Sequence, residues 1–544
     1  MSFYRLDEEP WLPVQWSAAA LARDPHSPPL VGLRTLLTRA HEISALAITE
    51  PPAHAAVLRV LYALTARVCA LDEDGSEADW SERRLDVLAA GRFPEAGIDA
   101  YFGTWGHRLR LFDPERPWMQ DPRLATECDP ARSAGVNKLV VTRPSGNNHS
   151  WFTHVQDAVP DPVPAGEAAL NLLTWHYYGP AGQGSSRTVG SKTSASMKAG
   201  SLRGALSYHP EGVTLFETLL AGLLRPDHTV RREADLCAWE RDALPDPDGE
   251  PPVVNGPCGR LTGTSQHALL LVPNPADPGS AKDAFITWAY RDGRAVRDDP
   301  YLIWQISPQG NPRPRLAQAG RALWRDLDAL LLTNADGPAR VRQPEIFSYE
   351  QALELSDALD RPLAVRSLGF DQVRAKDRQF VAGLTPAILD TAERKNARTA
   401  TAVGRMCGYG ELYGRRLDRA VRRACQLYTG EPAPKQAEAW AERAAALYWP
   451  QAEQEFWDLF GTLDREGRRH EVDAGLDRKA ARGAFLKLAT RAFEEITDPV
   501  CHTQRGAKAV GRARIELYGG PGKPLPRPRT PQQDQPIAQE EQPA

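Results

Sequence analysis

The sequence predicts an α+β protein: a large mixed α/β domain over residues 1–380, a C-terminal four-helix bundle over 381–518, and a disordered Pro-rich tail over 519–544. Three observations lead there. Helical and strand-like apolar patterns mix through the first 380 residues, whereas from about Thr385 the apolar period is helical throughout. The final 26 residues hold seven prolines and show no apolar periodicity, so they cannot bury a core.

Each element follows from its local pattern. Leu36, Leu37, Ala40, Ile43 and Leu46 sit at helical spacing, and Val57, Val60, Leu61 and Leu64 resume it after a break at Pro51-Pro52. Ile98 to Trp105 reads as a further helix, closed by the turn residues from Asp113 to Trp118. Leu269–Val272, Ala284–Tyr290 and Tyr301–Trp304 read as strands, with Arg291-Asp292-Gly293-Arg294 as hairpin chemistry between the last two. Residues 244–258 and 273–281, rich in Pro, Gly and Asp, read as long loops. In the C-terminal part, Leu417, Val421, Ala424 and Tyr428 share one helix face, and Phe485, Leu488, Ala492 and Ile496 another. Breaks are expected at Gly430 to Pro434, near Trp449-Pro450, from Asp464 to Gly475, and at Asp498-Pro499, giving an antiparallel bundle.

Composition narrows the function classes. With 544 residues, 42% hydrophobic and 25% charged, the chain suits a soluble protein of two or three domains. No apolar run approaches the roughly 18–20 residues of a membrane span. The acidic start Met1 to Asp7 does not read as a signal peptide, so a cytoplasmic location is expected. Seven cysteines without Cys-x-x-Cys or Cys/His spacing argue against zinc and against a disulfide framework. The net charge of −4 is unlike a simple nucleic-acid binder, but residues 381–518 carry 23 Lys/Arg against 19 Asp/Glu, so the bundle is the more basic part.

The stretch from Ser145 to Gly204 holds most of the candidate chemistry. Two small-residue segments studded with Ser, Asn, Lys and Arg flank an apolar piece around Leu170–Trp175. Glycine lets another backbone approach closely, and hydroxyls, amides and cations suit phosphate and sugar oxygens. A long solvated loop has the same composition. Trp151-Phe152 either anchors such a loop to the core or presents aromatics to a base or a ribonucleoprotein. Gly190-Ser191-Lys192-Thr193 imitates the end of a P-loop, but the first glycine of that motif is replaced by Ser185. No histidine set, nucleophile elbow or carboxylate pair stands out, so no catalytic residue, cofactor or metal is expected.

Several ordered landmarks resemble the CasA family, the large subunit of the type I-E CRISPR surveillance complex, Cascade. They are Leu6 to Val14 (LDEEPWLPV), Leu33 to Ile43, Leu111 to Gln120 (LFDPERPWMQ), Thr214 to Leu220 and Arg321 to Leu327. The resemblance spans nearly the whole chain bar the tail and implies a terminal helical bundle. It also implies a non-catalytic subunit that reads a short protospacer-adjacent motif on double-stranded DNA, helps open the duplex, stabilises the R-loop and recruits a helicase–nuclease. The implied partners are the other Cascade subunits, guide CRISPR RNA, target DNA and that effector. Two other readings stand beside it: a phosphate- or nucleotide-binding enzyme using residues 179–204, and a protein-only scaffold.

Carried over by resemblance, Asn147, Asn148, Trp151 and Phe152 belong to a loop docking on the guide-RNA end. Gly179, Gly182, Gly184 and Ser194 to Lys198, Ser196 among them, compete for the motif-reading loop. Lys282 is the motif-reading lysine. Gln372 and Arg374 are the candidates for the duplex-opening wedge; the usual glutamine position holds Arg374, with Gln372 two residues earlier. Arg415, Arg419, Arg422 and Arg423, with Arg416, would grip DNA backbone; ion pairs to Glu411 and Asp418 on a solvated helix face account for them equally well.

Overall fold

In a computed structural model the chain divides into two units: Met1–Leu323 with Ala329–Lys395, and Trp324–Asp328 with Asn396–Ala544. Residues 4–73, 77–145, 154–156, 158–227, 231–251, 254–263, 265–291, 299–331, 341–372, 379–388, 397–463 and 475–519 are described. The tail from 520 onward and the segments 292–298 and 464–474 lie outside them, and with them the expectations placed there. The architecture is α+β, with a mixed first unit and a helical C-terminal region.

The first unit opens with strand β1 (Leu12–Trp16) and helix α1 (Leu33–Thr38). The apolar spacing past Ala40 does not continue that helix. Ile43–Leu46 forms β2, antiparallel to β1 with Val14 opposite Leu46. Apolar residues three apart share a helix face and lie on opposite faces of a strand, so the spacing favours a helix, and the open edge of β1 selects the strand instead. Pro51-Pro52 is not a break but the start of helix α2 (Pro51–Val68), where the first turn has no N–H to lose. Every residue of α2 is buried, including His54, Arg59 and Arg67.

Those arginines are paired across long sequence distances. Arg59 meets Asp299 at 2.7 Å. Arg67 donates to both carboxylate oxygens of Glu240 at 3.1 and 2.6 Å, to the Asp235 carbonyl at 2.6 Å, and pairs with Asp72. Tyr101, on α3 (Glu95–Trp105), adds its hydroxyl to Glu240 at 2.7 Å.

Helix α4 (Ala165–Tyr178) packs on α2 and leads into β3 (Gly182–Val189) and β4 (Lys192–Met197). The expected glycine-rich loops are thus a β-hairpin. Strand β5 (Leu206–Glu211) forms a three-stranded sheet with two later strands described below. Next, β6 (His267–Asn274) and β7 (Asp277–Trp288) make a long hairpin whose turn falls at Pro275-Ala276. The loop expected at 273–281 is therefore strand on both sides of a tight turn, with Asn274 Oδ1 accepting from the Ala276 amide at 3.1 Å. Strand-forming residues near Tyr301 begin only at Trp304. Strands β8 (Ala364–Asp371) and β9 (Gln379–Leu384) complete the sheet in the order β9-β8-β5.

Among its described residues the second unit has three long α-helices and a shorter one: α5 (Ala397–Thr429), α6 (Gln436–Gly461), α7 (Arg478–Cys501) and α8 (Gln504–Ala513). Neither Pro450 nor Pro499 breaks its helix. A proline removes one backbone bond, and the buried Tyr448, Ala452 and Phe456 on either side of Pro450 hold α6 together around it. Pro499 sits in the last turn of α7. The unit's core is plugged by Trp324, fully buried, its ring 5.0 Å from Phe456 and 6.5 Å from Phe485. Gly410 makes the room: a Cβ there would lie 2.5 Å from the Trp324 ring.

Removing a partner from a buried ion pair strands the other charge. Glu240→Ala is therefore expected to cost about 3–5 kcal/mol of unfolding free energy, read by chemical denaturation.

Candidate nucleic-acid interface

The end of α4 fixes the β3–β4 hairpin. The Gly179 amide donates to Trp175 O at 3.1 Å, and the Gly200 amide to Gly179 O at 2.8 Å, so both ends of the hairpin close on one helix terminus. Gly182 pairs with Met197, Gln183 with Ser196 and Arg187 with Ser194; the register shifts between Gln183 and Arg187. This bulge, Gly184 to Ser186, leans on β7. A Cβ on Gly184 would lie 2.2 Å from the Ile286 carbonyl oxygen, and Ser185 Oγ accepts from the Ile286 amide at 3.3 Å. Arg187, fully buried, donates to Glu127 at 2.6 Å, Asp121 at 2.9 Å and the Trp288 carbonyl at 3.1 Å. Trp288 returns its indole N–H to Ser194 O at 3.0 Å. The inner half of the hairpin is thus clamped, and its outer end is exposed around Gly190, whose φ of +59° suits the turn.

This geometry settles the P-loop imitation. Gly190 to Thr193 turns one strand into its antiparallel neighbour, with Thr188 and Thr193 hydroxyls 2.9 Å apart across it. A P-loop needs a helix N-terminus aimed at the phosphates, and no helix follows here. Of the residues assigned to motif reading, Gly182, Ser196, Lys198 and Lys282 are exposed, and Gly184 is turned against β7. Gly182 has φ +143°, open to glycine alone among common residues. Lys282 stands on β7, four residues before the Ile286 contact.

Described residues next to three of the sequence-flagged segments line one cleft of about 120 Å³. They are Ser145 next to 146–153, Gly179 and Pro180 at the base of the hairpin, and Phe370 and Gln372 next to 373–378. Gln372 is buried and donates its side-chain amide to Tyr178 O at 3.2 Å, so it holds the cleft wall. Asn147, Asn148, Trp151, Phe152 and Arg374 lie outside the described residues. Sequence reasoning missed Lys138 and Arg143, which also line the cleft. Lys138 donates to Gln183 O in the hairpin, and burial pulls its ammonium below the ordinary value. The neighbouring Val136–Leu139 turn was too short to register as an element.

In the second unit Arg415 and Arg419 are exposed one turn apart on α5. They border an open cleft between α5 and α6, walled by Gly414, Ala441, Ala444 and Ala445, where the Arg325 guanidinium lies 3.6 Å from the Trp449 ring centroid. Among the described residues neither Arg415 nor Arg419 makes an ion pair. Arg422 does, to Asp418 at 2.9 Å and to Glu438 at 2.7 Å, and it holds Glu438 below its usual carboxylate value. Arg416 donates to Leu517 O at 3.2 Å, and Arg423 is half-buried. Glu411 pairs with Arg325 at 2.7 Å rather than with an arginine of its own helix. The solvated ion-pair reading thus accounts for Arg422 and leaves Arg415 and Arg419 without such partners. Among the described residues no three His, Cys, Asp or Glu side chains could hold a metal, and no helix is long and apolar enough to cross a membrane.

Gly184→Val should drive its side chain into the Ile286 carbonyl, at a cost of about 1–3 kcal/mol. Hydrogen exchange of the Gly182–Val189 amides, measured by mass spectrometry, should quicken.

Residues 6–492 match the family model described as CRISPR-associated protein Cse1. A CasA/Cse1 protein of Thermus thermophilus is 27% identical over 508 residues, 90% of this chain and 93% of that protein. Among solved structures, a chain of a CRISPR RNA-guided surveillance complex is 37% identical with a TM-score of 0.81, covering 95% of this chain and 99% of its own. A second, from such a complex in a pre-nicking state, is 35% identical with a TM-score of 0.73, covering 96% and 99%.

Proposed function

This chain belongs to the Cse1 family of CRISPR-associated proteins, and from that premise we propose that it is the non-catalytic large subunit of an RNA-guided surveillance complex. Its partners are then the other subunits, the guide RNA, double-stranded target DNA and a helicase–nuclease that it recruits in the cytoplasm. Full-length likeness to chains of two such complexes, at 37% and 35% identity, supports the assembly.

The observation that carries the reading is the clamped hairpin. Its base is fixed by Arg187, Trp288 and Gly184, while Gly182, Ser196 and Lys198 face outward and Lys282 stands on the strand it packs against. A rigid edge of bare backbone, hydroxyl and ammonium suits a minor groove, whose donor–acceptor pattern is degenerate, so several flanking motifs are accepted. Base pairing with the guide reads the long sequence, and this subunit reads the few base pairs beside it.

Duplex opening falls to Arg374, with Gln372 fixing the base of its segment through Tyr178. Unstacking costs a few kcal/mol per step, and backbone contacts offset it. An arginine wedge can also hold the phosphate it displaces. Asn147, Asn148, Trp151 and Phe152, which follow Ser145 in the sequence, dock on the guide-RNA end. In the second unit Arg415 and Arg419, with Arg422 and Arg423 behind them, grip backbone in a sequence-blind, salt-sensitive manner and stabilise the R-loop.

The test is a salt-controlled shift assay with the guide-RNA complex reconstituted with and without this chain, on matched targets carrying randomised flanks. Flank-dependent binding should appear only with this chain, and Lys282→Ala should erase about 1–3 kcal/mol of that discrimination. Arg415→Ala with Arg419→Ala should weaken every flank alike and lower the salt slope by about 0.9 per lost phosphate contact. Equal binding on every flank with the intact chain would reduce it to a scaffold.

A further inference from the structure

A second cleft of the first unit, about 130 Å³, is lined by Trp118, Trp239 and Tyr290 and by no residue of the hairpin. We propose that it binds a single nucleotide unit, the base in the cleft these aromatic side chains line and the phosphate on Arg116 and Arg241. This assignment is independent of the motif-reading interface.

Its size fits one aromatic ring, since a cavity of about 150 Å³ accepts benzene. Its chemistry points to a ring with polar edges rather than a hydrocarbon. Trp118 is 1% exposed, and its indole N–H has no hydrogen-bond partner among the described residues. A buried donor left unpaired is costly, and an acceptor on a base edge would satisfy it. Burial pushes the Tyr290 phenol up to about 12, so at neutral pH it remains a hydroxyl donor.

The rim sorts its arginines. Arg108 is taken by Asp242 at 2.9 Å, and Arg123 by Asp121 at 2.8 Å and the Pro245 carbonyl at 2.8 Å. Asp121, the carboxylate in the cleft wall, is neutralised from both sides by Arg123 and Arg187. Arg116 and Arg241 have no ion pair among the described residues and remain for an incoming anion. Gly263 gives Arg241 its place: a Cβ there would stand 2.8 Å from Nη2.

The backbone of this cleft is held out of its relaxed state. Met119 has φ +52°, an uncommon conformation for a non-glycine residue. Neutral His176 holds it by donating Nε2–H to the Met119 carbonyl at 2.7 Å. Strain kept in place by a buried hydrogen bond beside an unpaired donor is what a preformed ligand site shows.

Titration calorimetry of the full chain with adenosine and uridine monophosphates, with adenosine, and with inorganic phosphate tests this. Saturable binding of a monophosphate is expected, weakened about tenfold or more by Arg241→Ala through loss of a charged hydrogen bond. Trp118→Phe, which removes the N–H together with part of the indole ring, should weaken monophosphate and adenosine by the same factor; because it also hollows a buried site and lowers the melting temperature, Arg241→Ala at the rim is the variant that decides. A short single-stranded oligonucleotide that competes assigns the site to a strand, and one that does not assigns it to free nucleotide. Monophosphate binding that is absent, unaffected by Arg241→Ala, or matched by inorganic phosphate would overturn the proposal.

Discussion

The first unit depends on a helix with no solvent face. All eighteen residues of α2 are buried, yet two of them are arginines, and a buried charge must be paired. Arg59 finds Asp299 and Arg67 finds Glu240 as well as the nearby Asp72, so two segments more than 170 positions further along the chain are fixed to one helix. Apolar packing alone would tolerate sliding, whereas a guanidinium with defined partners does not. Close packing follows from the same demand: a Cβ on Gly222 would lie 2.1 Å from the Tyr62 ring, and one on Gly97 would lie 2.0 Å from the Val68 carbonyl oxygen.

That constraint reaches the interface through α4, which packs on α2 and ends at Gly179. From Gly179 the hairpin is clamped by another buried arginine, Arg187, with Asp121 and Glu127. The pattern repeats: an internal cation sets the position, and the neighbouring glycine allows the approach. The proposed function falls on the edge that this scaffold leaves exposed, since contacts to a groove need exposed groups held still.

Much of the fold was legible from periodicity. The Leu417 to Tyr428 face lies on α5, and the Phe485 to Ile496 face on α7. What failed were the places where local sequence is ambiguous and tertiary pairing decides. Ile43 and Leu46 fit a helix and became a strand beside β1. Residues 182–197 lack the alternation of a strand because their order comes from Arg187 and Trp288, partners far off in sequence. Pro450 looked like a stop because its cost is local and the packing that outweighs it is not. Gly182, Ser196, Lys198 and Lys282, assigned through the family resemblance, are exposed in the structure. The burial of Gln372 and the approach of Lys138 to Gln183 were not legible, because both are bonds to distant carbonyl groups.

The central claim is that a clamped hairpin reads the flank while the helical unit holds backbone. Hydrogen exchange of this chain within the assembled complex, with target duplexes of preferred and scrambled flank, tests it most directly. The account predicts new protection over 182–198 with the preferred flank alone, and over the Arg415 to Arg423 turns of α5 with either. Protection of 182–198 that is the same for both duplexes, or absent from both, would contradict it.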